Sequence, residues 1–195
     1  MWSPRGSKNI DRLAQHLEAA QDVLPDSLLL AGRIYLDQIE HLNKEVTELG
    51  TAIKAQARSD DTARRLQTIP DVGPVAAMAI AAFAPDMETV QRGRNFSAWL
   101  GLVPQQHSTG GRQLLGRASK MGQNDIRRLL IIGAMSVIKA GLMTGIPETS
   151  WLRRLLARKT RMVAAVALAN KMARMIWAVS VKGETYRNPN AVMLA

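Results

Sequence analysis

The stretch NFSAWLGLVPQQHSTGGRQLLGRASKMGQNDIRR, from Asn95 to Arg128, sets the organisation of the chain. It joins an aromatic-apolar segment to a polar loop that holds Ser108, Thr109, Gly110 and Gly111. Asp125 is its one acid, against five cations: Arg112, Arg117, Lys120, Arg127 and Arg128. The loop has too few apolar residues to form a core, and its charge is too one-sided for an ordinary solvated turn. The stretch therefore predicts a site that binds phosphate groups.

Composition predicts a folded, mostly helical protein. The 195 residues are 47% hydrophobic and 22% charged, which is typical of globular domains. Cysteine is absent and histidine occurs three times, so a disulfide framework is excluded and a thiolate or His-built zinc site is disfavoured. The N-terminal residues have no apolar signal-peptide segment, and the apolar run 162–181 is interrupted by Asn170, Lys171 and Arg174. We expect a cytoplasmic protein with no membrane span.

The net charge of +10 is unevenly distributed. Residues 1–61 hold 7 Lys/Arg and 10 Asp/Glu, so residues 62–195 carry a net charge of +13. A strongly basic segment binds polyanions, and nucleic acid is the favoured one because neutralised phosphates release counterions. A solubility charge or an acidic protein partner is the alternative.

The predicted fold is mainly α, beginning with a long coiled-coil-like helix. A short helix is predicted over residues 8–22, and Pro25 closes it. Asp26 is the expected N-cap of the next helix. From Leu28 to Ile53 apolar residues recur at heptad spacing, with alternating steps of three and four after Tyr35. This seam predicts a homo-oligomer, and pairing within the fold is the alternative.

A helix-hairpin-helix is predicted next. A short helix over Thr62 to Thr68 leads through a turn that contains Gly73 to an apolar helix over Val75 to Phe83. In such a motif the glycine lets the main chain approach a phosphate, and the N–H groups that open the second helix bind it without reading bases. An ordinary helical hairpin is the structural alternative.

Further helices surround a small irregular or β-hairpin insertion at Leu102 to Gly116. A helix over Gln123 to Ala140 is expected to turn Ile126, Leu130, Gly133 and Val137 inward. Thr149 or Ser150 is the expected cap of a basic helix that holds Arg153, Arg154, Arg158 and Lys159. The last helix, Met162 to Val181, is rich in alanine, which permits close helix packing.

Two serines are candidate nucleophiles. A hydroxyl that attacks phosphorus needs nearby cations to neutralise the transition state, and Ser108 precedes Arg112 while Ser119 lies between Arg117 and Lys120. Either serine could instead bind a phosphate or cap a helix. The carboxylates of the basic segment are scattered singly, so no metal site is predicted.

Three runs carry a family resemblance: IPDVGPVAAMAIAAF, then NFSAWLGLVPQQHSTGGRQLLGRASKMGQNDIRRLLIIGA, then VALANKMARMIWAV. In order, from Leu66 to Tyr186, they resemble the C-terminal transposase domain of DEDD-type insertion-sequence transposases, relatives of the Piv DNA invertase. The resemblance implies DNA strand exchange through a transient phosphoserine, with Ser108 as the nucleophile and Ser119 as second choice. It also implies DNA as partner and, in some members, a guide RNA.

The resemblance further implies a ribonuclease-H-like domain whose four acids bind Mg²⁺, and residues 1–61 do not supply it. We therefore expect domains at 1–61, a helical region with the heptad helix, and 62–188, the transposase domain, followed by a tail at 189–195. The chain is interpreted as the serine-bearing half of a transposase, with Mg²⁺ bound only by the acidic domain. The alternatives are a non-catalytic nucleic-acid-binding module, a decayed transposase remnant and an interaction protein that dimerises through its heptad helix.

Overall fold

The computed structural model describes residues 10–106, 115–148 and 150–187. The chain divides into two compact units, Met1–Ala52 and Ile53–Ala195. The described residues form eight helices and one two-stranded antiparallel sheet. The predicted mainly α class is confirmed.

The first unit contains two helices, and the second of these helices extends beyond Ala52. Helix α1 is Ile10–Ala19 and helix α2 is Asp26–Ser59. The N–H groups of Leu28 and Leu29 donate to the Pro25 carbonyl oxygen, so α2 begins at Asp26, which is its first residue and not the predicted N-cap. A Cβ at Gly32 of α2 would lie 2.8 Å from the Leu17 side chain of α1, so the two helices are in close contact there.

The second unit begins with three short helices. They are α3, Asp61–Leu66, α4, Pro74–Phe83, and α5, Gly93–Trp99. The Asp60 side chain accepts a hydrogen bond from the Ala63 N–H at 2.7 Å and caps α3. Pro74 opens α4 at no cost, since the N–H that proline lacks would have had no helical partner.

The predicted hairpin lies between α5 and the long helices. Strand β1 is Pro104–Gln106 and strand β2 is Leu115–Ala118. They pair antiparallel, with Pro104 opposite Ala118 and Gln106 opposite Leu115. Three helices follow: α6, Asn124–Thr144, α7, Trp151–Leu156, and α8, Arg161–Lys182. The Ser150 hydroxyl accepts from the Leu152 N–H and caps α7, as predicted.

Helix α8 is the centre of the core of the second unit. Its buried residues include Ala164, Ala165, Ala169 and Ala173, whose small side chains let α5 and α6 approach. A Cβ at Gly93 of α5 would lie 3.2 Å from the Cα of Arg174, so α5 contacts the α8 main chain closely. By length and composition α8 is apolar enough to cross a membrane. Its burial in this core is typical of the central helix of a globular fold.

The predicted inward face of α6 is confirmed at Ile126 and Leu130, which are buried, and Val137 is partly buried and packs against the core. Ala134 and Ile138 are also buried. The inward row follows steps of four, which the helix keeps because successive fourth residues lie on one face. Gly133 has a different role: a Cβ there would lie 2.7 Å from the Asp71 carbonyl oxygen.

Candidate nucleic-acid interface

The base of the hairpin is held by hydrogen bonds to five consecutive main-chain carbonyl groups, those of residues 99–103. We call residues 99–103 and 119–123 the hairpin base. Within it, Gln123 N–H donates to Trp99 O, Lys120 N–H to Gly101 O and Ser119 N–H to Val103 O, at 3.2, 3.2 and 2.9 Å. Two side chains complete the set: Arg127 Nη1 donates to Leu100 O and Asn170 Nδ2 donates to Leu102 O, both at 3.1 Å. The loop that carries Ser119 is thereby fixed to α5, α6 and α8 together.

Two glycines allow this close approach. Gly101 has φ +67 and Gly122 has φ +132, which are conformations that side chains with a Cβ rarely adopt. A Cβ at Gly122 would lie 2.0 Å from the Trp99 carbonyl oxygen, and one at Gly101 would lie 2.7 Å from the Met121 carbonyl oxygen. The glycine of the sequence Ser119-Lys120-Met121-Gly122 is therefore required by the fold.

Ser119 and Lys120 follow β2 directly at this base. Ser119 is partly buried and Lys120 is exposed. Lys120 has φ +54, in the left-handed region, and the main-chain bonds on either side hold it there. A hydroxyl and an ammonium group thus lie on adjacent residues of a turn that main-chain hydrogen bonds hold in place.

Two of the four arginines that were predicted to bind phosphate, Arg127 and Arg128, have different environments. Arg127 is partly buried, and its guanidinium donates to Leu100 O and to Asn124 Oδ1, at 3.1 and 2.6 Å. Arg128, one residue later, is exposed. Arg127 stabilises the hairpin base, and the charge of Arg128 lies at the exposed surface.

Sequence reasoning missed Ser97 and Asn170. Ser97 is fully buried, and its Oγ donates to the Gly93 carbonyl oxygen at 3.0 Å and approaches the Asn170 carbonyl oxygen at 3.4 Å. Asn170 in turn donates to Leu102, 68 residues earlier. A polar residue that interrupts the apolar run of α8 was the available signal, because buried polar groups need partners.

The predicted helix-hairpin-helix corresponds to α3, the turn 67–73 and α4. Gly73 is the exposed N-cap of α4 with φ −76, and no atom lies within 4 Å of the position of a Cβ there. The left-handed residue of the turn is Asp71, with φ +66. Burial raises the pKa of the Asp71 carboxyl group. The Asp71 carbonyl oxygen faces Gly133, six residues or about 9 Å of helix beyond Arg127, so this turn is separate from the hairpin base.

Several predicted site residues fall on the segment that joins the two strands. Ser108, Thr109, Gly110, Gly111 and Arg112 lie outside the described residues. In the chain Ser108 follows the end of β1 by two residues. The main chain of Arg117 belongs to β2. The structure therefore brings Ser119, Lys120 and Arg127 together, and the role of Ser108 stays a prediction.

The side chains that could ligate a metal are not clustered in the described part of the chain. Within residues 10–106, 115–148 and 150–187, no group of three His, Asp or Glu side chains could hold an ion. The described residues thus do not fit a Mg²⁺ site, and no step of a reaction is assigned to a metal on them.

The hairpin base lies inside a segment with known relatives. Residues 63–145 match the transposase IS116/IS110/IS902 family. This transposase segment begins in α3 and ends just after α6, so it contains both candidate serines, the hairpin and the turn of Gly73.

Three relatives extend the similarity beyond the transposase segment. A probable family 20 transposase of Pseudomonas aeruginosa is 43% identical over 151 residues, 77% of this chain and 45% of that protein. The transposase for insertion sequence element IS1111A of Coxiella burnetii is 37% identical over 76% of this chain and 41% of its own length. The transposase for insertion sequence element IS1328 of Yersinia enterocolitica is 34% identical over 94% of this chain and 54% of its own. The chain spans about half the length of the curated relatives it matches.

Proposed function

We propose that this chain is the DNA-binding, serine-bearing part of an insertion-sequence transposase. The observation that carries the proposal is the hairpin base, which lies within the transposase segment and includes Ser119 and Lys120: its own main-chain N–H groups and side chains of α6 and α8 hold it in place. A rigid turn that presents a cation and a hydroxyl can bind a phosphodiester with little loss of conformational freedom. Exposed Arg128 supplies a further cation.

The proposed reaction is a transesterification. The serine Oγ forms a bond to phosphorus while the bond from phosphorus to one deoxyribose oxygen breaks. The proton that serine gives up passes to the departing deoxyribose oxygen, which leaves as a hydroxyl, so atoms and charge balance. A hydroxyl from another strand then attacks the phosphoserine phosphorus, the bond from phosphorus to Oγ breaks, and the proton of that hydroxyl passes to Oγ. The two strands are thereby joined and the serine is restored. Ser108 is the proposed nucleophile, with Ser119 as the alternative.

A magnesium-binding acidic domain is proposed to complete the active site. Its ligands are assigned to a part of the transposase other than the described residues, which do not fit the ion. A guide RNA remains a further predicted partner, and the hairpin base does not discriminate between the two nucleic acids. Cytoplasmic localisation also remains a prediction.

Covalent trapping on a nicked suicide duplex tests the catalytic step. The 195-residue chain is incubated with the duplex, alone and with the magnesium-binding domain of a relative, and adducts are separated under denaturing conditions. We expect an adduct with the wild type and with Ser119→Ala, and none with Ser108→Ala. If the adduct is lost with Ser119→Ala and kept with Ser108→Ala, the nucleophile is Ser119. If the completed wild type forms no adduct but still shifts duplex DNA in a gel, the non-catalytic binding module is the correct reading.

A further inference from the structure

A second basic surface lies around α7, in a part of the chain outside the transposase segment. It consists of six exposed cations from α7, the turn after it and α8: Arg153, Arg154, Arg158, Lys159, Arg161 and Lys171. We call it the α7 surface. We propose that the α7 surface binds the phosphate backbone of duplex DNA, and this inference rests on the proposed function.

The arrangement of the arginines carries the first step. Arg158 Nε donates to the Arg154 carbonyl oxygen at 3.3 Å, so the Arg158 side chain turns back along α7 towards the residue one turn earlier. Arg154 is itself exposed. Like charges at this spacing repel each other. Their repulsion is relieved when an anion binds between them, and a row of phosphates supplies anions at regular spacing.

Acidic partners are scarce around these cations. Among the described residues, Arg153 is the one cation of the α7 surface that an acid contacts: its Nη2 lies 3.8 Å from Glu148 Oε1. The Glu148 side chain is 90% exposed, so this pair is solvated and weak. From Ser150 to Val181 the sequence contains no acid. The field of the surface is therefore positive throughout.

A cation–π contact ties α8 into the surface. Lys171 Nζ lies 5.5 Å from the centroid of the Trp151 ring, at the start of α7. Lys171 directly follows Asn170, whose side chain holds Leu102 of the hairpin base. Successive residues of a helix point about 100° apart, so Lys171 is exposed whereas Asn170 is partly buried. Duplex DNA is the occupant that six exposed cations with one solvated acidic partner among the described residues favour, because a phosphate backbone supplies a row of anions.

The salt dependence of DNA binding tests the inference. The variant Arg154→Gln, Arg158→Gln, Lys159→Gln removes three charges with residues of similar helix propensity. Each phosphate contact contributes about 0.9 to the slope of log K against log salt concentration. We expect the slope for a duplex to become less steep by roughly 2 to 3, with an unchanged thermal transition by circular dichroism.

A matched control separates a local effect from net charge. The variant Arg12→Gln, Arg33→Gln, Lys44→Gln removes three exposed cations from the first unit and is expected to keep the wild-type slope. Glu148→Gln removes the one contacting acid and is expected to tighten binding by up to about fivefold.

Three results would overturn the inference. The α7 variant could keep the wild-type salt slope. Alternatively, the salt slope of the control variant could fall as much as that of the α7 variant. The α7 variant could also lose affinity for an RNA duplex of the same sequence while it keeps its DNA slope, which would assign the surface to RNA. A wild type whose DNA binding is independent of salt would instead refute the proposed function together with this inference.

Discussion

The side-chain amide of Asn170 in α8 donates a hydrogen bond to the main-chain oxygen of Leu102, at the entry to the hairpin. Leu102 is 2% exposed, so its carbonyl has little access to water as an alternative partner. A buried carbonyl that loses its donor costs more than the bond itself contributes. This contact therefore couples the apolar core of the second unit to the loop that carries the candidate serines.

Replacing Asn170 should destabilise the fold. We expect Asn170→Ala to lower the free energy of unfolding by about 1 to 3 kcal/mol, because the Leu102 carbonyl loses its donor. Urea denaturation followed by circular dichroism measures the change. Asn95→Ala, at an exposed position of α5, is the control and should shift stability by less than about 0.5 kcal/mol. Equal effects of the two substitutions would contradict the role given to Asn170.

Arg127 and Arg128 should separate stability from DNA binding. Arg127→Ala removes two hydrogen bonds from a charged donor and is expected to cost about 1.5 to 3 kcal/mol of folding free energy. Arg128→Ala should leave the urea midpoint close to that of the wild type and reduce the salt slope of DNA binding by about 0.9. A destabilised Arg128→Ala protein, or one with an unchanged slope, would argue against this division.

Gly73→Ala should weaken DNA binding without unfolding the protein. The φ of −76 suits alanine and the site has open space, so the change in stability should stay within about 1 kcal/mol. A methyl group at this N-cap would obstruct a phosphate that approaches the first turn of α4. Fluorescence anisotropy with a labelled duplex measures the affinity. Wild-type affinity in a folded Gly73→Ala protein would favour the ordinary helical hairpin.

The Asp71 carboxyl group should give stability a pH dependence. Burial raises its pKa in the folded protein above the ordinary value of 3.8. The folded state thus binds the proton more tightly, and stability falls as pH rises from 3.8 through the folded pKa. Asp71→Asn, which also tolerates the left-handed conformation, should raise the melting temperature at pH 7 and lose that advantage below pH 3.8. Thermal melts of both proteins from below pH 3.8 to pH 7 measure this difference. A gain in melting temperature that is constant with pH would contradict the prediction.

The exposed apolar side of α2 should mediate self-association. Tyr35, Val46 and Leu49 are 68%, 67% and 63% exposed, and Leu42 is 49% exposed. We expect the wild type to sediment as an oligomer and the double variant Leu42→Asp, Leu49→Asp to sediment as a monomer, because charge cannot be buried in a coiled-coil seam. Gln38→Asp, at an exposed position of α2, is the charge control. A monomeric wild type at micromolar concentration would show that the heptad prediction of an oligomer is wrong.

Local sequence determined the helices, because their signals lie within a few residues. Apolar residues at helical spacing marked α2 and α6, an apolar run rich in alanine marked α8, Pro74 opened α4, and Ser150 capped α7. The ordered motifs from Leu66 to Tyr186 likewise determined the resemblance to transposases. The domain boundaries at 61 and 188 and the role of Ser108 stay predictions.

Tertiary structure alone decided what holds the candidate site. Arg127 was predicted to bind phosphate, and only the fold shows that its guanidinium donates to Leu100 of the hairpin base, 27 residues away. Asn170 carried no motif, yet it anchors a residue 68 positions earlier. In the turn before α4, the left-handed residue is Asp71 and not Gly73, and the Asp71 carbonyl oxygen packs against α6 at Gly133. A local pattern encodes the conformation of neighbouring residues, whereas hydrogen bonds between distant residues exist only once the core has brought their helices together.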